Sequence, residues 1–107
     1  YKRQGRLILE LFQAADLPAG LLSCICGDGE TGAALVSAKV DQVCFTGSVD
    51  TGRRVAKSCA SRFIPVVLEL GGKDAMIVCA DADLDRAASG AVFGSFANSG
   101  QLCTSVE

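Results

Sequence analysis

Twice in the first half of the chain a short apolar run gives way to glycine and then to a helical pattern. Leu21 to Cys26 leads into Gly27-Asp28-Gly29-Glu30-Thr31-Gly32, and Gln42 to Thr46 leads into Gly47-Ser48. A strand that turns into a helix and is followed by another strand returns by a crossover, and crossovers of this kind are right-handed and build parallel sheets. The expected fold class is therefore α/β.

The other elements follow from spacing and punctuation. Leu7, Ile8, Leu11, Phe12 and Ala15 recur on one helical face, which predicts a helix from Lys2 to Ala15. Asp16-Leu17-Pro18-Ala19-Gly20 stops it. Helices are expected over Glu30 to Lys39 and Ser48 to Arg62, the second turning Val55, Ala56 and Cys59 to the core. Ile64 to Leu70 and Ala75 to Cys79 read as two more strands, joined through Gly71-Gly72. Asp81-Ala82-Asp83 offers N-cap carboxylates to a helix from Leu84 to Ala97, which Asn98-Ser99-Gly100 ends.

Charge and cysteine usage narrow the function. A net charge of −2 with no basic cluster argues against nucleic acid as a partner; Arg53, Arg54 and Lys57 suit one solvated helix face. No apolar run reaches the length of a membrane span, and the start lacks the apolar core of a signal peptide. The six cysteines are irregularly spaced and there is no histidine. A structural zinc site uses Cys-x-x-Cys pairs or histidines, so no metal is expected. Most of the cysteines lie in apolar runs and read as small buried hydrophobes in a reducing compartment, the cytoplasm; a disulfide framework is the alternative.

Two glycine signals compete for a phosphate. Gly27 to Gly32 matches G-x-G-x-x-G after a strand and before a helix, as the dinucleotide fingerprint requires. Asp28 and Glu30 would crowd a pyrophosphate, however, and a tight turn with first-turn acids on the helix dipole explains the same residues. Phe45-Thr46-Gly47-Ser48 also joins strand to helix, with N–H groups at a helix start and Arg53 and Arg54 a turn away. The plainer alternative is a Ser48 N-cap beside a Gly47 turn.

The chemistry-bearing pair stands further on. Cys103 ends Asn98-Ser99-Gly100-Gln101-Leu102-Cys103, and Glu69 lies in Leu68-Glu69-Leu70-Gly71-Gly72-Lys73, 103 − 69 = 34 positions earlier. A thiol is a strong nucleophile, and a carboxylate on a separate segment can act as its base or activate water. Taken singly, Cys103 also reads as a buried helix-end thiol. Glu69, opposite in phase to Leu68 and Leu70, reads as a solvated strand residue. A helix C-terminus does not favour a thiolate, so activation of Cys103 must come from elsewhere. Lys73 and Asp74 read as turn and surface residues.

Phe45-Thr46-Gly47-Ser48, the Leu68–Lys73 run and Gly100-Gln101-x-Cys103, in this order, resemble the aldehyde dehydrogenase superfamily over residues 45 to 107. The resemblance implies a fragment of a Rossmann-like parallel sheet with crossover helices, joined to the start of an α/β catalytic domain. Residues 1–68 would belong to the NAD(P)-binding domain and 69–107 to the catalytic domain. It implies oxidation of a small-molecule aldehyde to a carboxylic acid, with Cys103 attacking the carbonyl and Glu69 deprotonating the water that hydrolyses the thioester. NAD or NADP would rest on Gly47, Ser48, Gly52, Leu70 and Gly71, with Gly27 and Gly32 as secondary positions near the adenosine end. Gln101 would position the loop backbone. Family members are several times longer and commonly form homo-dimers or homo-tetramers, so the chain is expected to be an internal piece of such an enzyme. The oxyanion asparagine and the ribose-binding residues would lie outside it. A CoA-acylating relative, in which a thiol resolves the thioester, is disfavoured by Glu69. A catalytically inactive fragment or structural paralogue is the remaining alternative.

Overall fold

The structure is a computed structural model that describes residues 2–106, and of Lys2 the backbone alone. The chain divides into two compact units, one up to Ala38 and one from Lys39 onward.

The first unit holds α1 (Lys2–Ala14) and α2 (Gly29–Ser37). The Ala15 N–H closes α1 on the Leu11 carbonyl at 3.1 Å, and Asp16 then turns left-handed with φ 58°. Leu7, Ile8, Leu11 and Phe12, expected to face inward, are 49–62% exposed, whereas Gly5 and Leu9 are half-buried. The reason is a close approach on another side of α1. A Cβ added at Gly5 would stand 3.0 Å from the Cys24 sulfur, so the helix leans on its residue without a side chain. Leu21 to Cys26 is not a strand, because it has no ladder partner among the described residues. Apolar character does not make a strand unless the backbone groups find a neighbour to bond.

The second unit runs β1 (Val43–Gly47), α3 (Val49–Ala60), β2 (Val66–Leu70) and α4 (Leu84–Phe96). β1 and β2 pair in parallel from Val43↔Val66 to Gly47↔Leu70. The Pro65 carbonyl, just ahead of β2, accepts from the Val43 N–H at 3.0 Å. Burial alternates along β2: Val66, Leu68 and Leu70 are half-buried, and Val67 and Glu69 are exposed. Leu70 packs on Gly52 of α3, so its face of the sheet turns toward that helix. The buried positions of α3 are Gly52, Val55 and Cys59, a single stripe of helical spacing, as expected for Val55 and Cys59.

Little else is enclosed. Val55 and Cys59 are the buried hydrophobic residues among those described, while Ile77, Phe93 and Phe96 are 87%, 75% and 72% exposed. Ala75 to Cys79 forms no strand; its neighbourhood contributes one parallel bridge, Asp74↔Val106. The expectation of buried cysteines holds for Cys59 alone. Cys24 is half-buried, Cys26, Cys44, Cys79 and Cys103 are exposed, and all six are free thiols. Cys44 lies on the face of the sheet away from α3, in phase with Val67 and Glu69, and all three are exposed. No helix among the described residues is long and apolar enough to cross a membrane.

Candidate active site

The carboxyl ends of β1 and β2 and the start of α3 form one corner. Gly47 is in register with Leu70, and Thr46 with Glu69. A Cβ at Gly52 would fall 2.6 Å from Leu70 Cδ2, so the helix can sit this close only because position 52 has none. In open α/β sheets ligands bind beyond the carboxyl ends of the strands, which is where Gly47, Ser48, Leu70 and Gly71 stand.

The two glycine signals resolve differently at their helix starts. At α2 the Asp28 carboxylate accepts from the Glu30 N–H at 3.1 Å and the Thr31 N–H at 3.3 Å. Negative charge already occupies that helix start, and a Cβ at Gly27 would run into the Thr31 side chain. Gly27 therefore serves the turn, and around Gly32 there is open space. At α3 the cap is neutral: the Ser48 hydroxyl accepts from the Thr51 N–H at 3.3 Å and donates to Thr51 Oγ1 at 3.0 Å. First-turn N–H groups of a helix have no intrahelical acceptor, and the dipole favours an anion there. The first-turn acid Asp50 is balanced by Arg53, which donates to it at 3.3 Å. Residues 47–50 thus suit a phosphate better than residues 27–31 do.

Glu69 is exposed on the face of β2 opposite Leu68 and Leu70, as alternation predicts. Cys103 comes from the other direction. α4 starts at the Asp83 cap, whose carboxylate accepts from the Arg86 N–H at 3.0 Å, and ends at Phe96. A short 3₁₀ turn, Ala97–Gly100, then reverses the chain through three left-handed residues in succession: Asn98 at φ 52°, Ser99 at 60° and Gly100 at 71°. Asn98 Nδ2 donates to the Gln101 carbonyl at 3.3 Å, and the Gln101 N–H to the Asn98 carbonyl at 3.2 Å.

Cys103 and Thr104 are the central residues of the next turn, closed by the Ser105 N–H on the Leu102 carbonyl at 3.2 Å. Both ends of this turn are anchored. Ser105 is buried, and its hydroxyl donates to the Gly100 carbonyl at 3.4 Å. The Val106 N–H donates to the Gly94 carbonyl at 3.0 Å, and a Cβ at Gly94 would meet Val106 Cγ2 at 2.8 Å. The turn lies beside the loop that leaves β2: a Cβ at Gly72 would stand 3.5 Å from the Cys103 carbonyl oxygen, and Asp74 bridges to Val106. So the loop that follows β2, three residues past Glu69, runs beside the turn carrying Cys103, and Cys103 itself is exposed.

Residues 4–107 match the model of the aldehyde dehydrogenase family. The chain belongs to this family. It is 56% identical over 103 residues to the 4,4'-diapolycopene aldehyde oxidase of a Methylomonas species, covering 96% of this chain and 19% of that protein. The NAD⁺ complex of an aldehyde dehydrogenase from Bacillus cereus superposes with TM-score 0.86 at 41% identity, over 90% of this chain and 20% of that one. Succinic semialdehyde dehydrogenase from Streptococcus pyogenes, in complex with NADP⁺, superposes with TM-score 0.87 at 32% identity, over 98% of this chain and 23% of that one. The chain thus spans about a fifth of the length of the aldehyde dehydrogenases it matches. The α/β fragment with a small parallel sheet is that of the family.

Gly94 and Ser105 carry no functional signal in the sequence, and Gly72 reads there only as a linking glycine of the Leu68–Lys73 run. Gly72 was visible as the second glycine of a pair, but its closeness to Cys103 is a long-range contact with no local signal. Ser105 stands two residues after the thiol, and only its burial distinguishes it from a surface serine.

Proposed function

We propose that the chain is the central segment of an NAD(P)-dependent aldehyde dehydrogenase that oxidises a small-molecule aldehyde to its carboxylic acid, with Cys103 as nucleophile and Glu69 as base. What carries the proposal is the pairing of the two loops, Gly72 beside the Cys103 carbonyl and Asp74 bridged to Val106. As the Cys103 sulfur attacks the aldehyde carbon, the thiol proton leaves to water, the C–S bond forms and the carbonyl π pair moves to oxygen, giving a tetrahedral oxyanion adduct. The chemistry a nicotinamide dinucleotide held at the α3 corner would supply is hydride acceptance, two electrons and one proton, which would leave Cys103 acylated as a thioester. Glu69 then takes a proton from water, the water oxygen attacks the thioester carbon, and the C–S bond breaks to return Cys103 and release the acid.

The residues present fit a dinucleotide at one corner. The N–H groups of the first turn of α3 and the Ser48 hydroxyl would hold a phosphate, Gly47 would let it approach, and Gly52, Leu70 and Gly71 would form the floor beneath it. Gly27 and Gly32 are carried only as secondary cofactor positions, and the Asp28 carboxylate at that helix start disfavours an anion there. Both NAD⁺ and NADP⁺ occur in the complexes of similar proteins, and either cofactor suits this corner. Residues 1–68 would then serve the dinucleotide and 69–107 the reacting carbon, with Glu69 at the junction. A cytoplasmic homo-dimer or homo-tetramer is the assembly in which the family's chemistry is expected here.

The test is Cys103→Ala in the whole enzyme. Aldehyde oxidation should vanish while dinucleotide affinity changes by less than about threefold, since one covalent step is lost and the α3 corner is untouched. Turnover in the alanine variant above about 1% of wild type would refute the assignment.

A further inference from the structure

The chain reaches its thiol through a reversal that few side chains tolerate. Between the end of α4 and Cys103, Asn98, Ser99 and Gly100 take positive φ one after another. L-residues avoid this region, and asparagine is among the few that enter it, because its short polar side chain can bond locally. Asn98 bonds locally twice. Its Nδ2 donates to the Gln101 carbonyl at 3.3 Å, and its own carbonyl accepts from the Gln101 N–H at 3.2 Å. Both polar backbone groups of Gln101 are thus held by one residue, and Gln101 rests at φ −91°, ψ 57°.

We propose that Asn98 is a positioning residue for Cys103: its amide fixes the stretch of backbone that carries the thiol to the aldehyde carbon. The inference rests on Cys103 being the nucleophile, and Asn98 acts through the backbone rather than on the substrate. Peptide units are planar, and none among the described residues is cis. Holding the Gln101 carbonyl therefore also sets the Leu102 N–H, which points the opposite way. The next peptide is held in the same manner, since the Leu102 carbonyl accepts from the Ser105 N–H at 3.2 Å. Two successive peptide planes, hinged at Leu102, are fixed in this way, and the second carries the nitrogen and Cα of Cys103. Without the Asn98 amide the first plane is free to rotate, and the thiol shifts with it. Misplacing a reacting group by about 1 Å can cost about a hundredfold in rate.

The plainer role for Asn98 is to end α4. The two roles part at the side chain. Glycine takes positive φ readily and aspartate tolerates it, so Asn98→Gly and Asn98→Asp both still end the helix. Neither can donate to the Gln101 carbonyl: glycine has no side chain, and a carboxylate is an acceptor only. Asn98 is exposed, so neither change opens a cavity.

The test is single-turnover aldehyde oxidation by the whole enzyme, with enzyme and dinucleotide in saturating excess over aldehyde, followed as reduced cofactor. Wild type, Asn98→Gly, Asn98→Asp and Cys103→Ala are compared, with circular dichroism for folding and calorimetry for dinucleotide affinity. Partial unfolding removes competent sites but leaves the first-turnover rate constant unchanged, so that constant isolates geometry. It should fall by about tenfold or more in both Asn98 variants, while dinucleotide affinity stays within about threefold of wild type. A wild-type rate constant in either variant would overturn the inference and leave Cys103 as nucleophile. Loss of the fold in both variants would also overturn it, by making Asn98 a residue of the fold alone. Turnover retained in Cys103→Ala would remove the nucleophile itself, and this inference with it.

Discussion

The contact between Gly52 and Leu70 sets how closely α3 lies on the sheet, and a double-mutant cycle measures it. Adding a methyl group at position 52 puts a carbon 2.6 Å from Leu70 Cδ2 and 3.1 Å from Cδ1. Carbon atoms rest at about 3.5–4.0 Å, so something must give by close to 1 Å. Overpacking of this kind costs about 1–3 kcal/mol. Against it, alanine in a helix interior is favoured over glycine by about 1 kcal/mol. Leu70 is only half-buried and its clashing atoms are at the end of a flexible side chain, which holds the cost to the middle of the range, about 2 kcal/mol, rather than its top. Gly52→Ala should therefore destabilise by about 1 kcal/mol net. In a Leu70→Ala background the obstacle is gone, and the same substitution should stabilise by up to about 1 kcal/mol, a coupling of about 2 kcal/mol. Urea unfolding of the four proteins, followed by circular dichroism, gives both numbers. If Gly52→Ala changes stability equally in the two backgrounds, α3 and β2 do not meet at this point.

Other outcomes follow from the turns and from Glu69. Glu69→Gln should leave a pre-steady-state burst of reduced cofactor followed by slow turnover, and wild-type turnover in rapid-mixing experiments would remove Glu69 as the base. Gly100→Ala places a Cβ at φ 71° and 3.1 Å from the Ser95 carbonyl, which should cost about 1–2 kcal/mol in thermal or chemical unfolding. Ser105→Ala removes the bond to the Gly100 carbonyl and should cost about 1 kcal/mol; it should also change the rate at which iodoacetamide alkylates Cys103, which a serine serving the fold alone would leave untouched. Because the Cys24 thiol is shifted upward, its alkylation should reach half its maximal rate at a higher pH than that of a peptide thiol, and an unshifted rate profile would contradict the partial burial behind it.

The helices were legible because their signals are local. Ser48, Asp83 and the Asn98-Ser99-Gly100 stop all act within a turn of the elements they bound, and α3 and α4 start and end within two residues of the expected positions. Strands are a statement about a neighbour. Gln42–Thr46 and Ile64–Leu70 found each other as β1 and β2, whereas Leu21–Cys26 and Ala75–Cys79, equally apolar, have no ladder partner among the described residues. The amphipathic stripe of α1 misled for a related reason, since periodicity identifies a face without saying what lies against it. The residues proposed for catalysis and cofactor could be named from the sequence. Their spatial relations, Leu70 on Gly52 and Gly72 beside Cys103, depend on tertiary contact and could not.

The bridge between Asp74 and Val106 ties together positions 106 − 74 = 32 residues apart, with α4 inside the loop it closes. Closing a loop of that length costs chain entropy before the Asp74–Val106 contact rewards it, so this tie, unlike the local bonds of Ser105, is the expensive part of the turn bearing Cys103. Its far end also rests on α4, whose Gly94 carbonyl accepts from the Val106 N–H. The same contacts are few and near the surface, which places the turn among the segments that open locally without global unfolding. Amide exchange at Val106 thus becomes a clock for the reactive thiol's surroundings, running faster than exchange in the β1–β2 ladder and reporting how often the nucleophile's loop comes undone while the rest of the unit stays folded.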